Sequence, residues 1–299
     1  MPQGAIPTSI VDKNARHTLE WKIHWLFRLA LFCEFVGHGV FGILTKSAWV
    51  PYFGTFGIPD SWAWRLMPLV GSVDITLGTL ALLAPTRAGL LYMGCWGLFT
   101  ALLRPLAGEG WWEFLERSYN FGVPLLMLWV HGVGTRGTSW FTLITEVPQF
   151  SAARAQTAQL ALRGMMASML IGHGGFGLVM AKQNLLQFYE AAGLGAVALP
   201  LPTTRAVIGG FEMILGVLCL EAKVSAFFVF VCAWKLATEL LYVPAGAYGA
   251  WWEVMERGSS YAAPLLWIGF RQVLSGHGEA AQGLISRRWW RELGEGYRK

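Results

Sequence analysis

Apolar residues gather along this chain into long runs broken by short polar stretches. The runs cover residues 24–43, 64–84, 88–107 and 117–133, then 159–180, 205–221, 224–244 and 258–275. Each run is about 17–22 residues long, enough at ~1.5 Å per residue to cross ~30 Å of hydrocarbon. Backbone groups inside a bilayer have no water to bond, so such runs have to be helical. The pattern therefore predicts an all-α integral membrane protein with eight transmembrane helices.

The second four runs repeat the first four. Gly37-His38-Gly39-Val40-Phe41-Gly42 returns as Gly172-His173-Gly174-Gly175-Phe176-Gly177. Trp111-Trp112-Glu113 with Glu116-Arg117 returns as Trp251-Trp252-Glu253 with Glu256-Arg257. The offset grows only from 135 to 140. A repeat of this length implies duplication of a structural unit. The chain divides into a polar N-terminal arm (1–20), a first four-helix unit (21–135), a cytoplasmic linker (136–157), a second four-helix unit (158–276) and a basic amphipathic tail (277–299). An even number of spans per unit makes both units cross the membrane in the same sense.

Composition agrees with the pattern. The chain is 55% hydrophobic and 14% charged, against about 25% charged for a soluble domain. Basic residues lie mostly at run ends, which reads as topology and not as nucleic-acid binding. One face, with both termini, carries fourteen of them and the other seven, which places both termini in the cytoplasm. The first 20 residues contain no apolar core of a signal peptide. Cys33, Cys95, Cys219 and Cys232 all lie in apolar runs without CxxC spacing, and read as small buried hydrophobes. The WWE segments fall on the outer face. Trp111, Trp112, Trp251 and Trp252 are expected as interfacial anchors, with the glutamates and arginines on a polar face. The tail motif Arg287-Arg288-Trp289-Trp290-Arg291 is its cytoplasmic counterpart.

Candidate chemistry rests on ionisable residues inside the runs, each costly there unless it faces a partner or cavity. Arg28, Glu34, His38 and Asp74 occur in the first unit, and Arg163, His173, Glu212, Lys235 and Glu239 in the second. The arginines, histidines and Asp74/Glu212 are duplicated. Glu34, Lys235 and Glu239 are not. Glu34–His38 and Lys235–Glu239 are i,i+4 pairs, each on one helix face. Depth along the helices predicts structural ion pairs Arg28–Asp74 and Arg163–Glu212. Both histidine stretches match G-x-G-x-x-G, but they sit inside apolar helices, where glycine serves close packing and not dinucleotide binding. His24 and His38 are fourteen residues apart, a spacing found with stacked haems, yet Gln159 stands at the position matching His24.

The stretch from Leu26-Phe27-Arg28 to Gly37-His38-Gly39, the run Leu69–Gly78 around Asp74, and Arg87 resemble the first two helices of the DoxX-like membrane family. The resemblance covers 24–133 and, more loosely, 159–275. Phe41–Gly42 stands where the family has a lysine, and Asp74 where it has glutamate. The resemblance implies two tandem DoxX-like four-helix bundles. It also implies a non-catalytic subunit of a quinone-linked redox assembly in a bacterial inner membrane, anchoring extracytoplasmic partners. A quinone site would use Glu34, His38 and His173, with no metal. The alternatives are an electron carrier with haem b between His38 and His173, and a proton or small-solute transporter.

Overall fold

The structure is a computed structural model that describes residues 8–133, 137–147, 149–196 and 199–276. The tail motif at 287–291 lies outside the described residues. Among the described residues the chain is helical, with one isolated bridge, Thr86 to Leu143.

The first repeat contains α1 (Thr8–Ile43), the short α2 (Val50–Gly54), α3 (Asp60–Leu83), α4 (Arg87–Leu106), α5 (Trp111–Glu116) and α6 (Ser118–Val130). After the linker helix α7 (Gly137–Phe141), the second contains α8 (Ala152–Leu178), α9 (Asn184–Ala191), α10 (Leu201–Glu221), α11 (Ser225–Glu239) and α12 (Ala250–Glu256). A last helix, α13, covers 258–276. The stretch read as a polar arm is helical from Thr8 and runs without a break into the first apolar segment. The linker also packs: Arg87 donates to the carbonyls of His131, Gly132 and Ser139, and Phe150 is fully buried.

Among the described residues, five helical segments are long and apolar enough to cross a membrane: His17–Ile43, Asp60–Leu83, Arg87–Leu106, Leu201–Glu221 and Ser225–Tyr242. The other expected spans differ for physical reasons. α6 has 13 residues, about 20 Å of helix, because the chain turns at Arg117 and directs α5 elsewhere. α8 is long, but Gln159, Arg163, His173 and five glycines dilute its apolarity.

These helices form an inner and an outer set. α3, α4, α10 and α11 present large apolar side chains outward, among them Leu69, Leu80, Val207, Ile214 and Val229. Such a surface suits lipid and not water. The inner helices α1, α6, α8 and α13 supply most of one buried cluster that runs through both repeats. Its contacts cross between the repeats. Gly122 of α6 lies against Met165 of α8, and Ser118 Oγ donates to the Met165 carbonyl at 3.0 Å. Reciprocally, Gly258 and Gly269 of α13 lie against Cys33 and Ile23 of α1. The fourth helix of each repeat thus packs on the first helix of the other, and the repeats share one core.

Candidate functional site

Glycine sets the level of the site. Gly39 and Gly42 of α1 face Gly71 of α3 so closely that a Cβ on Gly39 would meet the Gly71 carbonyl oxygen at 2.6 Å. Gly174 and Gly177 of α8 face Gly209 of α10 in the same way. Backbones in that contact fix the register of the antiparallel helices, and the next side chains along must meet. His38 Nδ1 lies 2.9 Å from Asp74 Oδ2, and His173 Nδ1 lies 2.6 Å from Glu212 Oε2. A carboxylate only accepts, so each Nδ1 carries the hydrogen and Nε2 is left free for another partner.

In place of direct Arg28–Asp74 and Arg163–Glu212 contacts, both arginines bond carbonyls at helix ends, and the register explains why. Arg28 lies ten residues from His38, about 15 Å along the helix, and so faces the end of α3. Its guanidinium donates to the Leu82 carbonyl through Nε at 2.7 Å and lies over the Trp25 ring. Arg163 donates to the Ala222 carbonyl at 2.5 Å. Carbonyls at a helix C-terminus have no donors within the helix and carry the negative end of its dipole, so they hold a cation without a carboxylate.

The two histidine sites differ in what surrounds them. His38 stacks on Trp49, with ring centroids 4.5 Å apart, and lines a cavity of about 170 Å³ with Tyr52, Phe56, Trp96, Phe99 and Leu103. Its carboxylate is incompletely paired. In the second repeat, Trp234 Nε1 donates to Glu212 Oε1 at 3.1 Å. In the first, Asp74 is one methylene shorter, and both Asp74 Oδ1 and the matching Trp96 Nε1 are buried without a partner. Trp96 itself lines the His38 cavity. His173 lies instead beside Phe176 and faces a charged vestibule of about 520 Å³.

That vestibule is built from the WWE segments, which the sequence placed flat in the membrane interface. Trp111 and Trp251 are exposed, at 65% and 66%. Trp252 is exposed too, but Trp112 packs on Gly175 of α8. The glutamates point inward: Glu113, Glu116 and Glu253 are buried. The reason is the crossing of the repeats. α5 sits on α8, and α12 sits on α1. Lys182, following α8, bonds Glu113 of α5, while Lys46, following α1, bonds Glu253 of α12. Arg117 holds Glu113 at 2.6 Å and Glu116 at 2.8 Å, and Arg257 holds Glu253 and Glu239 at 2.8 Å each. Burial alone would raise the Glu116 carboxyl. The Arg117 and Arg257 charges overcome it and hold the group at about 2. Burial likewise works against Glu253, and Arg257 with Lys46 brings it to about 2. The reciprocal lysines were visible in the repeat, since Lys46 and Lys182 follow equivalent glycine stretches, but sequence could not show that they reach across.

Deeper in, Lys235 and Glu239 form a fully buried pair at 2.7 Å, as the i,i+4 spacing implied. Glu34 is also buried and accepts from Ser259 Oγ of α13. A further buried pair has no signal in the sequence. His24 Nδ1 lies 2.8 Å from His131 Nε2, across 107 residues. His131 Nδ1 lies 2.8 Å from the Met127 carbonyl, so it donates there, Nε2 accepts from His24, and His24 Nε2 accepts from Arg28. Among the described residues no group of three or more His, Cys, Asp or Glu side chains is placed to hold a metal ion. Comparisons of the chain with family models, curated proteins and solved structures find no significant match.

Proposed function

We propose that the protein is a DoxX-like subunit of a quinone-linked redox assembly whose His38 cavity holds a quinone or quinol headgroup. In this reading the chain crosses a bacterial inner membrane eight times as two tandem DoxX-like four-helix units, with both termini cytoplasmic. The exposed Trp111 and Trp251 lips anchor extracytoplasmic partners. One observation carries the reading: an aromatic, lipid-level cavity contains one histidine with a free Nε2, beside a buried carboxylate oxygen and an indole N–H that lack partners. Flat aromatic walls suit a flat ring, and a few convergent polar groups suit its oxygens. A neutral His38 accepts the hydroxyl hydrogen of a quinol, and Asp74 orients the imidazole and stabilises its charged form. The chain itself supplies binding and orientation, and the electrons pass to a partner subunit. His38 and His173 line different cavities, which supports separate sites over one haem b between them.

Binding of decylubiquinol, kept reduced, to the protein in lipid nanodiscs, followed by tryptophan fluorescence, tests the proposal. Wild type should saturate, and His38→Leu should weaken binding by up to about tenfold, the loss of one neutral hydrogen bond of about 0.5–1.5 kcal/mol. Equal binding by both, or none by wild type, would overturn it.

A further inference from the structure

Two small cavities lie between the His38 cavity and the charged vestibule and share lining residues with each. The first, of about 10 Å³, is lined by His38, Trp96 and Thr100, which also line the aromatic cavity, and by Glu34 and Asn120. The second, of about 20 Å³, shares Glu34 and Asn120 with the first and adds Lys235, Glu239 and Ser259. It shares Glu116, Arg117 and Arg257 with the vestibule. Each neighbouring pair of cavities thus has side chains in common. A buried water needs about 10–15 Å³ and two to four polar partners, so each small cavity has room for about one water, and both have the partners.

We infer that this series is a proton conduit between His38 and the vestibule, with Glu34 as its transfer group. Glu34 is the only carboxylate lining both small cavities. It lies one helical turn from His38, and Ser259 Oγ donates to its Oε2 from the vestibule side. A proton leaving His38 passes through water in the first cavity to Glu34, then through the second to the vestibule. A proton arriving retraces the route, and no electrons move with it. Met169 occupies the matching position in the second repeat, where His173 already lines the vestibule and needs no conduit. The lack of a second Glu34 in the duplication then has a physical reason. The use of the conduit, proton exchange with a bound quinol, rests on the reading of the His38 cavity above.

The test needs no quinone. In the full chain labelled with 15N-histidine in lipid nanodiscs, NMR reads proton exchange between the His38 imidazole and water, assigned against His38→Asn. Glu34→Gln keeps a partner for Ser259 but cannot take up a proton, and Asn120→Leu plugs the joint of the two cavities without touching either dyad. Each should slow exchange at His38 at least tenfold and leave His173 unchanged. Wild-type exchange at His38 in a folded variant of either kind overturns the conduit. Normal conduit behaviour without decylubiquinol binding overturns the quinone reading instead, so the two failures are distinguishable.

Discussion

At the scale of single residues, the difference between the two histidine sites comes down to one methylene. Glu212 reaches both His173 and Trp234, whereas Asp74 reaches His38 and leaves an oxygen and the Trp96 indole open. A buried polar atom without a partner costs about 1–3 kcal/mol, a cost that a ligand hydrogen-bonding there removes. Asp74→Glu should therefore close the Trp96 gap, stabilise the apoprotein and weaken decylubiquinol binding about tenfold. The thermal midpoint and a binding isotherm on the same sample check both halves of this expectation. A variant with raised midpoint and unchanged affinity would separate the open pair from the ligand.

Among the helices, the α1–α3 and α8–α10 pairs depend on glycine for their register. A Cβ on Gly39 meets backbone of α3 at 2.6 and 2.9 Å, and backbone cannot rotate away as a side chain can. Gly39→Ala should cost about 1–3 kcal/mol, the usual penalty of overpacking, and part His38 from Asp74. Gly164 of α8 has nothing within 4 Å of a built Cβ. Gly164→Ala should be neutral or stabilising by up to about 1 kcal/mol, the helix preference of alanine over glycine. Thermal unfolding of the two variants in one detergent gives the contrast. Equal effects would mean that the glycines do not set the register.

For the molecule as a whole, the crossing of α5–α6 and α12–α13 between repeats determines how it comes apart. Each half alone would expose the inner faces of α1 or α8 and leave Glu113 or Glu253 without its lysine. Fragments 1–148 and 149–299 expressed separately should be degraded or aggregate, and co-expression should recover a complex that co-purifies. The vestibule also sets an acid limit. Glu116 sits near 2 in the folded chain, against 4.5 for the ordinary group. Its folded value is depressed, so its stabilisation is complete above about 4.5 and is lost as pH falls toward 2. The difference corresponds to roughly 3 kcal/mol. The thermal midpoint should be nearly flat from pH 7 to 5 and fall steeply below 4.5. Replacing Glu116 with Gln should lower the plateau and soften the acid drop.

The duplication, the helical class, the apolar segments and the polar residues embedded in them were legible in the sequence, because each is a property of order along one strand of chain. His38, His173, Asp74 and Glu212 stood out for the same reason: an ionisable group in an apolar run is conspicuous wherever the run folds. Their pairing was not legible. Depth arithmetic matched Arg28 with Asp74, but the contact of Gly39 with Gly71 shifted the helices so that His38 met Asp74 and Arg28 met a helix end. The WWE segments looked amphipathic because alternation of polar and apolar residues reports two environments without saying which is solvent. Here the polar side faces the opposite repeat. The His24–His131 pair, the open Trp96 indole and the two cavities that share Glu34 arise between residues distant in sequence. Composition and periodicity carry information along a helix, whereas register, crossing and cavity shape are set by contacts between helices, and only the tertiary structure decided those.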